Sequence, residues 1–207
     1  MLRLLGRASS INVRKVLWLC AELGLPLEHE PWGSGFKSTH TPEFLAMNPN
    51  AMVPVIIDDG FVLWESNTIC RYLAGRHGRS DLLPTAPDAR ARVEQWMDWQ
   101  ATELNNAWRY AFMAIVRNSP EHCDPGAIAA SIANWHRHMQ LLDGQLAKTG
   151  AYAAGPAFTL ADIVLGVSAM RWLMTPMQRP DLPALQAYID RLSERPPFLQ
   201  HGRNGVP

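Results

Sequence analysis

The sequence predicts a small α/β domain followed by an all-helical domain. The first part of the chain alternates short extended apolar runs with helical patterns in the order β-α-β-loop-β-β-α. Four helical patterns and no strand candidates follow. Between the two parts, residues 79–87 contain two prolines and no periodicity, which is typical of a linker. We therefore expect domains over residues 1–78 and 88–207.

The elements of the α/β part follow from apolar spacing and from glycine stops. Leu2–Leu5 is an apolar run that ends at Gly6, and Ile11–Leu23 has apolar residues at helical spacing before Gly24. A right-handed crossover between the first two strands, followed by an antiparallel hairpin, gives a small sheet. The remaining predicted elements are a strand over Leu27–Trp32, a helical turn around Pro42–Leu45, strands over Val53–Ile57 and Phe61–Leu63, and a helix over Ser66–His77 closed by Gly78.

The hairpin and the helix after it form the clearest functional signal. Asp59-Gly60 between two apolar runs indicates a two-residue turn, and Pro54 fits only an edge or the start of a strand. Ser66 is the expected N-cap of the next helix, beside the carboxylate of Glu65. A helix N-terminus binds anions, whereas a carboxylate binds ammonium groups. This corner suits a ligand that carries both an α-amine and an α-carboxylate.

The second part is predicted to be a helical bundle. Thr159 and Asp162 have the spacing of a capping box, which we interpret as structural. The tail after Phe198 contains glycines and a proline and is expected to be loosely ordered. The predicted helices run over Asp88–Arg117 (capped by Asp88), Pro125–Lys148, Leu160–Met174 and Leu182–Glu194.

Composition argues against several classes of partner. The 207 residues contain 19 basic and 19 acidic side chains without a basic block, so nucleic acid and anionic membrane are not expected as partners. No apolar run approaches the ~18–20 residues of a membrane span. The N-terminal stretch lacks the apolar core of a signal peptide, so we expect a cytoplasmic protein.

The cysteines and histidines do not indicate a metal site. Cys20 and Cys70 fall at inward positions of helical patterns and are expected to be buried free thiols, and Cys123 has no close cysteine partner. His136 and His138 are two residues apart on a predicted helix and therefore lie on different faces. No metal is expected.

Ser9, Ser10 and Asn12 lie between the first strand and the first helix. They are good helix caps in any protein, so capping alone explains them. The same position could instead stabilise an anionic ligand such as a thiolate. Lowering a thiol pKa by two units takes about 2.7 kcal/mol. One charge-assisted hydrogen bond (about 1.5–3 kcal/mol) and a helix N-terminus (about 0.3–1 kcal/mol) supply that much.

Three segments in this order resemble the glutathione S-transferase family: GRASSINVRKVLWLCAELGLPLE, NPNAMVPVIIDDG and WESNTICRYLAGRHG. The resemblance implies a thioredoxin-like first domain that binds glutathione, with no metal. It also implies a cis Val53-Pro54 peptide whose Val53 backbone pairs with the cysteinyl part of glutathione. Glu65 and Ser66 match the pair that holds the γ-glutamyl group in that family.

The catalytic residue that the resemblance implies is Ser10. It matches the serine of the bacterial, theta-like and phi-like classes, four positions before Arg14, with Ser9 and Asn12 as competitors. The tyrosine and cysteine classes are not expected, because residues 1–15 contain neither amino acid. A Ser-x-Asn pair also resembles bacterial members that reduce disulfides.

Two positions depart from the family pattern. Met52 precedes Val-Pro where many members have lysine or glutamine, and His40 stands where a lysine often binds the glycyl carboxylate, with Lys37 nearby. Of the aromatic residues in the first long helix, the resemblance assigns Trp108 and Phe112, with Asn105, to the pocket for a hydrophobic co-substrate.

Three functional hypotheses follow. The first is a homodimeric glutathione transferase in which Ser10 stabilises the thiolate that attacks a small hydrophobic electrophile. The second retains glutathione but reduces disulfides or peroxides, with Asn12 sharing the thiolate. The third is a module without catalysis, in which Met52 and His40 mark a decayed site.

Overall fold

The computed structural model describes residues 1–207. Its strands are β1 Leu2–Leu5, β2 Leu27–Glu30, β3 Val55–Asp58 and β4 Phe61–Trp64. Its helices are α1 Ile11–Leu23, α2 Pro42–Met47, α3 Ser66–Arg76, α4 Pro87–Trp99, α5 Asn105–Ile115, α6 Pro125–Thr149, α7 Leu160–Met174, α8 Pro183–Ser193 and α9 Pro196–His201, with a π-helical segment over Gln100–Leu104. None of the helices combines the length and apolar composition that a membrane span requires.

The four strands form one mixed sheet in the order β2-β1-β3-β4. β1 pairs parallel with β2 across the α1 crossover, and β3 pairs antiparallel with both β1 and β4. The hairpin turn predicted at Asp59-Gly60 is confirmed, because both residues have positive φ angles, 49° and 89°. The predicted order β-α-β-loop-β-β-α is therefore correct, although β2 ends at Glu30 and β3 begins at Val55.

Two predicted helix N-caps are wrong, although the predicted start of the helix at Ser66 is correct. Ser66 is the first residue of α3, and Glu65 with φ 72° occupies the N-cap position. Asp88 lies in the first turn of α4, whose N-cap is Ala86 and whose first residue is Pro87. In both cases the capping side chain predicted from residue type is one or two positions inside the helix. α1 and α7 match their predicted bounds at both ends.

The long helix predicted over Asp88–Arg117 is divided. α4 and α5 are joined by the π-helical segment, whose first residue, Gln100, is fully buried. Its side chain reaches Lys15, Asn105 and Ser168 on three different elements. A π-helical turn inserts one residue into the helical repeat, and such turns are frequent at functional sites.

One large hydrophobic core joins the α/β elements to the helical ones. α1 lies close to α7 at Gly166, where an added Cβ would stand 3.0 Å from the ring of Trp18 and 2.9 Å from Leu192. The predicted capping box at the start of α7 is confirmed, since the Thr159 N–H donates to Asp162 Oδ2 at 2.9 Å. The middle of α1 is thus held against α7 of the helical part.

The prediction of a loose tail is wrong. The chain forms α9 after Pro196, and the fully buried guanidinium of Arg14 on α1 binds the segment that follows. Its Nε donates to the carbonyl of His201 at 2.7 Å, one Nη donates to Val206 at 2.6 Å, and the other donates to Gly202. Contacts between residues so far apart in sequence leave no local signal.

Candidate functional site

Several predicted site residues meet in one cavity of about 190 Å³. It lies where the first turn of α1, the segment before β3 and the first turn of α3 come together. Asn12, Val53, Pro54, Glu65 and Ser66 were expected at a site, and the structure places all five in its wall. The other lining residues are Asn48, Asn50, Met52 and Arg109.

The other predicted residues lie outside that wall. Ser9 and Ser10 are half-buried in the turn that leads into α1. His40 is exposed in the loop before α2, where its backbone N–H donates to Ser38 Oγ. Asn105, Trp108 and Phe112 belong to α5, and Asn105 Oδ1 accepts from Gln100 Nε2 at 3.0 Å. The roles assigned to these residues stay predictions.

The start of α1 carries free polar side chains. Ser10 is the N-cap by its backbone, with φ −75° and ψ 126°, but its hydroxyl makes no capping bond. Neither the Ser9 hydroxyl nor the Asn12 amide has a hydrogen-bond partner in the protein, so simple capping does not explain any of the three side chains. Free donors at a helix N-terminus can bind an anion.

The segment before β3 presents an unpaired peptide to the cavity. The Val53-Pro54 bond is cis, as the resemblance implied. Neither the N–H nor the carbonyl of Val53 has a backbone partner. Buried or partly buried backbone groups generally find a partner, so Val53 is suited to pair with the main chain of a peptide ligand. Asn48 shapes this loop by donating from Nδ2 to the carbonyl of Met52 at 2.8 Å.

Glu65 supplies a free carboxylate at the start of α3. Its φ of 72° and ψ of 106° lie outside the regions that non-glycine residues favour. Such a conformation costs about 1–3 kcal/mol and is concentrated at functional sites. The side chain is exposed and makes no capping bond. It is available for a ligand amine next to the free N–H groups of the helix.

A buried polar network supports the α3 corner from behind. Lys15 is 1% exposed and donates from Nζ to Gln100 Oε1 at 2.8 Å, Asn67 Oδ1 at 3.0 Å and Ser66 Oγ at 3.4 Å. Asn67 Nδ2 also donates to the carbonyl of Met97 at 2.7 Å. Burial lowers the pKa of Lys15 from its ordinary 10.5 to about 7.

Sequence reasoning missed this network and some of the cavity wall. Lys15 falls within a helical pattern, where a lysine is normally expected at the surface. Asn48 and Asn50 lie in a segment without helical or strand periodicity, and Arg109 lies in a helical pattern, so neither context indicates a site. A lysine inside an apolar helical run was the one available signal, because a buried lysine needs partners. No group of three or more His, Cys, Asp or Glu side chains is placed to hold a metal.

The sequence and the fold both match known proteins. Residues 1–75 match the family model described as "Glutathione S-transferase, N-terminal domain". Residues 125–191 match the model described as "Glutathione S-transferase, C-terminal domain". The chain is 40% identical over 198 residues to Glutathione S-transferase GstB of Escherichia coli (strain K12), covering 95% of each protein.

Solved structures agree. A theta class glutathione S-transferase from Xanthomonas axonopodis pv. citri, determined with glutathione bound, superimposes with a TM-score of 0.92 at 36% identity over 100% of this chain and 99% of that one. A glutathione S-transferase from Pseudomonas fluorescens gives 0.84 at 27% identity, over 95% and 96% of the two chains. The expected architecture, a thioredoxin-like sheet followed by a helical bundle, is confirmed. This chain belongs to the glutathione S-transferase family.

Proposed function

We propose that this chain is a glutathione transferase, which activates the thiol of glutathione for attack on a small electrophile. The observation that carries the proposal is the cavity between two helix N-termini, with a free carboxylate at one and free hydroxyl and amide groups at the other. The relatives named above are glutathione S-transferases, one of them with glutathione bound.

The cavity offers groups that match the parts of glutathione. The carboxylate of Glu65 suits the α-amine, and the N-terminus of α3 at Ser66 suits the α-carboxylate. The unpaired backbone of Val53 suits the cysteinyl peptide. Glutathione supplies the nucleophilic sulfur, and the chain supplies orientation and a preformed electrostatic environment.

We propose Ser10 as the residue that stabilises the thiolate. Its hydroxyl has no partner in the protein and is at the N-terminus of α1, so it can donate to a sulfur anion without first breaking another bond. A charge-assisted hydrogen bond of about 1.5–3 kcal/mol lowers a thiol pKa by one to two units. No general base is required.

Direct assays test this function. We expect calorimetry to detect glutathione binding and a chlorodinitrobenzene assay to detect conjugation. Ser10→Ala should reduce kcat/KM about tenfold or more and raise the pKa of bound glutathione, because it removes a donor to the thiolate. Ser80→Ala, at an exposed hydroxyl, is the matched control. Absence of glutathione binding at millimolar concentration would instead support a module without catalysis.

Disulfide reduction is the second candidate, because Asn12 lines the cavity and Ser10 does not. Its side-chain amide can donate to the sulfur and would remain close to it during attack on a disulfide. The two functions separate in a comparison of Asn12→Ala with Ser10→Ala, each measured on a disulfide and on a chloroarene. A larger loss for Asn12→Ala on the disulfide would favour reduction.

We also propose a homodimer. β4 is an edge strand, and Phe61, Val62 and Trp64 on it are 49%, 37% and 36% exposed. Exposed apolar side chains along an edge strand favour association. Light scattering should give twice the mass of one chain, and a Phe61→Lys variant should shift the protein toward monomer.

The domain limits and the location remain proposals. We place the boundary in residues 79–87, between α3 and α4, consistent with the family descriptions that fit residues 1–75 and 125–191. The cysteines are all free thiols, which agrees with a reducing cytoplasm, where glutathione is abundant in its thiol form. Limited proteolysis tests the boundary, and cell fractionation tests the location.

A further inference from the structure

A buried arginine without an anionic partner lies on α7. Arg171 is 4% exposed, and its Nε is buried with no hydrogen-bond partner. The guanidinium forms no salt bridge and donates no hydrogen bond to the protein. Buried charges are normally paired, because an isolated charge loses its hydration without compensation. The structure therefore contains a cation that the protein itself does not neutralise.

Two aromatic rings hold this guanidinium. Its Cζ lies 4.5 Å from the ring centroid of Trp108 and 4.1 Å from that of Phe112. Cation–π contacts offset part of the desolvation and fix the plane of the guanidinium, but they leave its N–H donors unused. Trp108 adds a second unused donor, since its indole Nε1 is also buried without a partner.

The charges around Arg171 are positive. Burial, followed by the positive charges of Arg14, Arg117 and Arg7, lowers the pKa of Arg171 to about 9, so it remains charged at neutral pH. No carboxylate contributes to its environment. The guanidinium of Arg14 donates all its side-chain hydrogen bonds to backbone carbonyls. The Cζ of Arg117 also lies over the Phe112 ring, 5.4 Å from its centroid, and Arg117 forms no salt bridge.

This cation lies beside the turn that carries Ser10. Arg7 begins that turn, since the Ser10 N–H donates to the Arg7 carbonyl at 3.0 Å, and Arg14 N–H donates to the Ser10 carbonyl at 2.9 Å. α7 also packs directly on α1. The terminal nitrogens of Arg171 have no hydrogen-bond partner in the protein either. Unlike Nε, they retain solvent-accessible surface.

We propose that Arg171, with Arg7 and Arg117 near it, binds a carboxylate of the second substrate. This inference rests on the proposed transferase function and names its substrate class: small electrophilic organic acids. The carboxylate pairs with the guanidinium while the rings of Trp108 and Phe112 contact the apolar part. At the reacting carbon, the glutathione thiolate donates its electron pair to form the C–S bond, and a halide leaves with the pair of the C–halogen bond.

Glutathione itself has two carboxylates and is the other source of such a group. The cavity assigned to glutathione does not include Arg171, and α3 and Arg109 already provide its wall with groups that bind anions. We therefore assign Arg171 to the second substrate. Calorimetric measurement of glutathione binding to the Arg171→Met variant separates the two sources.

The test uses a matched pair of electrophiles, 4-chloro-3,5-dinitrobenzoate and its neutral amide. For the unmodified protein, kcat/KM should favour the acid. Arg171→Met, which conserves volume, should reduce the acid-to-amide ratio of kcat/KM about 10- to 100-fold, and Arg171→Lys should restore part of it. Arg179→Met is the control, because Arg179 also packs on an indole, at 5.7 Å from Trp172, but binds backbone carbonyls.

A binding readout accompanies the kinetics. The unreactive 3,5-dinitrobenzoate should raise the melting temperature of the unmodified protein more than its amide does, and Arg171→Met should abolish the difference. An unchanged acid-to-amide ratio in Arg171→Met, or a loss confined to glutathione binding, would overturn the inference. Turnover of neither electrophile by protein that binds glutathione would instead contradict the proposed transferase function.

Discussion

Two helix N-termini face the proposed glutathione site, and they are built differently. The α3 corner is supported by a buried network in which Lys15, Asn67 and Gln100 bond one another. The α1 corner presents Ser10 and Asn12 with no side-chain hydrogen bond to the protein. One corner is fixed before any ligand arrives, whereas the other keeps its donors free.

The difference matches two chemical tasks. Binding of an invariant charged group benefits from a rigid site, because ordering costs are met during folding. Stabilising a sulfur anion requires donors that are not already engaged, since breaking an existing bond would cancel the gain. Substitutions at the two corners test this contrast.

The largest effect on stability is expected from a substitution within the buried network behind α3. Asn67→Ala removes one of the three acceptors of Lys15 and the side-chain donor to the Met97 carbonyl, which deletes two buried hydrogen bonds, one of them to an ammonium group. We expect the free energy of unfolding to fall by about 3 kcal/mol or more. Urea unfolding measures it, with Thr68→Ala, an exposed neighbour, as control. Equal small losses in both variants would show that the network does not support the corner.

The pH dependence of stability tests Lys15 itself. Its pKa falls from 10.5 in the unfolded chain to about 7 in the fold. Between these values the unfolded state binds more protons, so stability increases with pH. From about pH 7 to about pH 9 the gain should be about 2 kcal/mol, and it should disappear in Lys15→Met. Identical pH profiles for the two proteins would contradict the lowered pKa.

Glu65 tests the ligand side of the fixed corner. Glu65→Gln keeps the shape of the side chain but removes the charge that suits an amine. We expect the KM for glutathione to rise about tenfold while kcat changes by about twofold or less, because the contact is made equally in the ground and transition states. Glu103→Gln, an exposed glutamate on the π-helical segment, is the control. A fall in kcat at constant KM would place Glu65 in the chemistry instead.

The smallest effect should be on stability at the free corner. Ser10 makes no capping bond, so Ser10→Ala should change the free energy of unfolding by less than about 0.5 kcal/mol. Thr41 is the matched contrast, because its hydroxyl accepts from the Phe44 N–H at 3.3 Å, and Thr41→Ala should lose about 1 kcal/mol. Equal losses would mean that Ser10 is a structural cap.

Local chemistry predicted much of the fold. Asp59-Gly60 and Gly24 signal their turns through backbone preferences, and the Thr159–Asp162 box marks the start of α7, so these boundaries were read correctly. The N-cap at Glu65 could not be predicted, because glutamate does not favour a positive φ and the surrounding structure imposes it.

The site was predictable where it is local and not where it depends on tertiary contacts. Glu65 and Ser66 follow a hairpin in sequence, so their proximity could be inferred. Arg109 and Arg171 reach their places through helix packing, and the sequence around each indicates only an ordinary helix. The π-helical segment begins at Gln100, whose side-chain partners lie on distant elements, so the local sequence does not indicate it.

Arg14, one helical turn after Ser10, connects the start of α1 to the C-terminal segment. Arg14 clamps the carbonyls of His201, Gly202 and Val206, so the end of the chain acts as a brace behind the turn that holds Ser10. Deletion of residues 202–207 should therefore lower kcat, although the deleted residues do not contact the substrate.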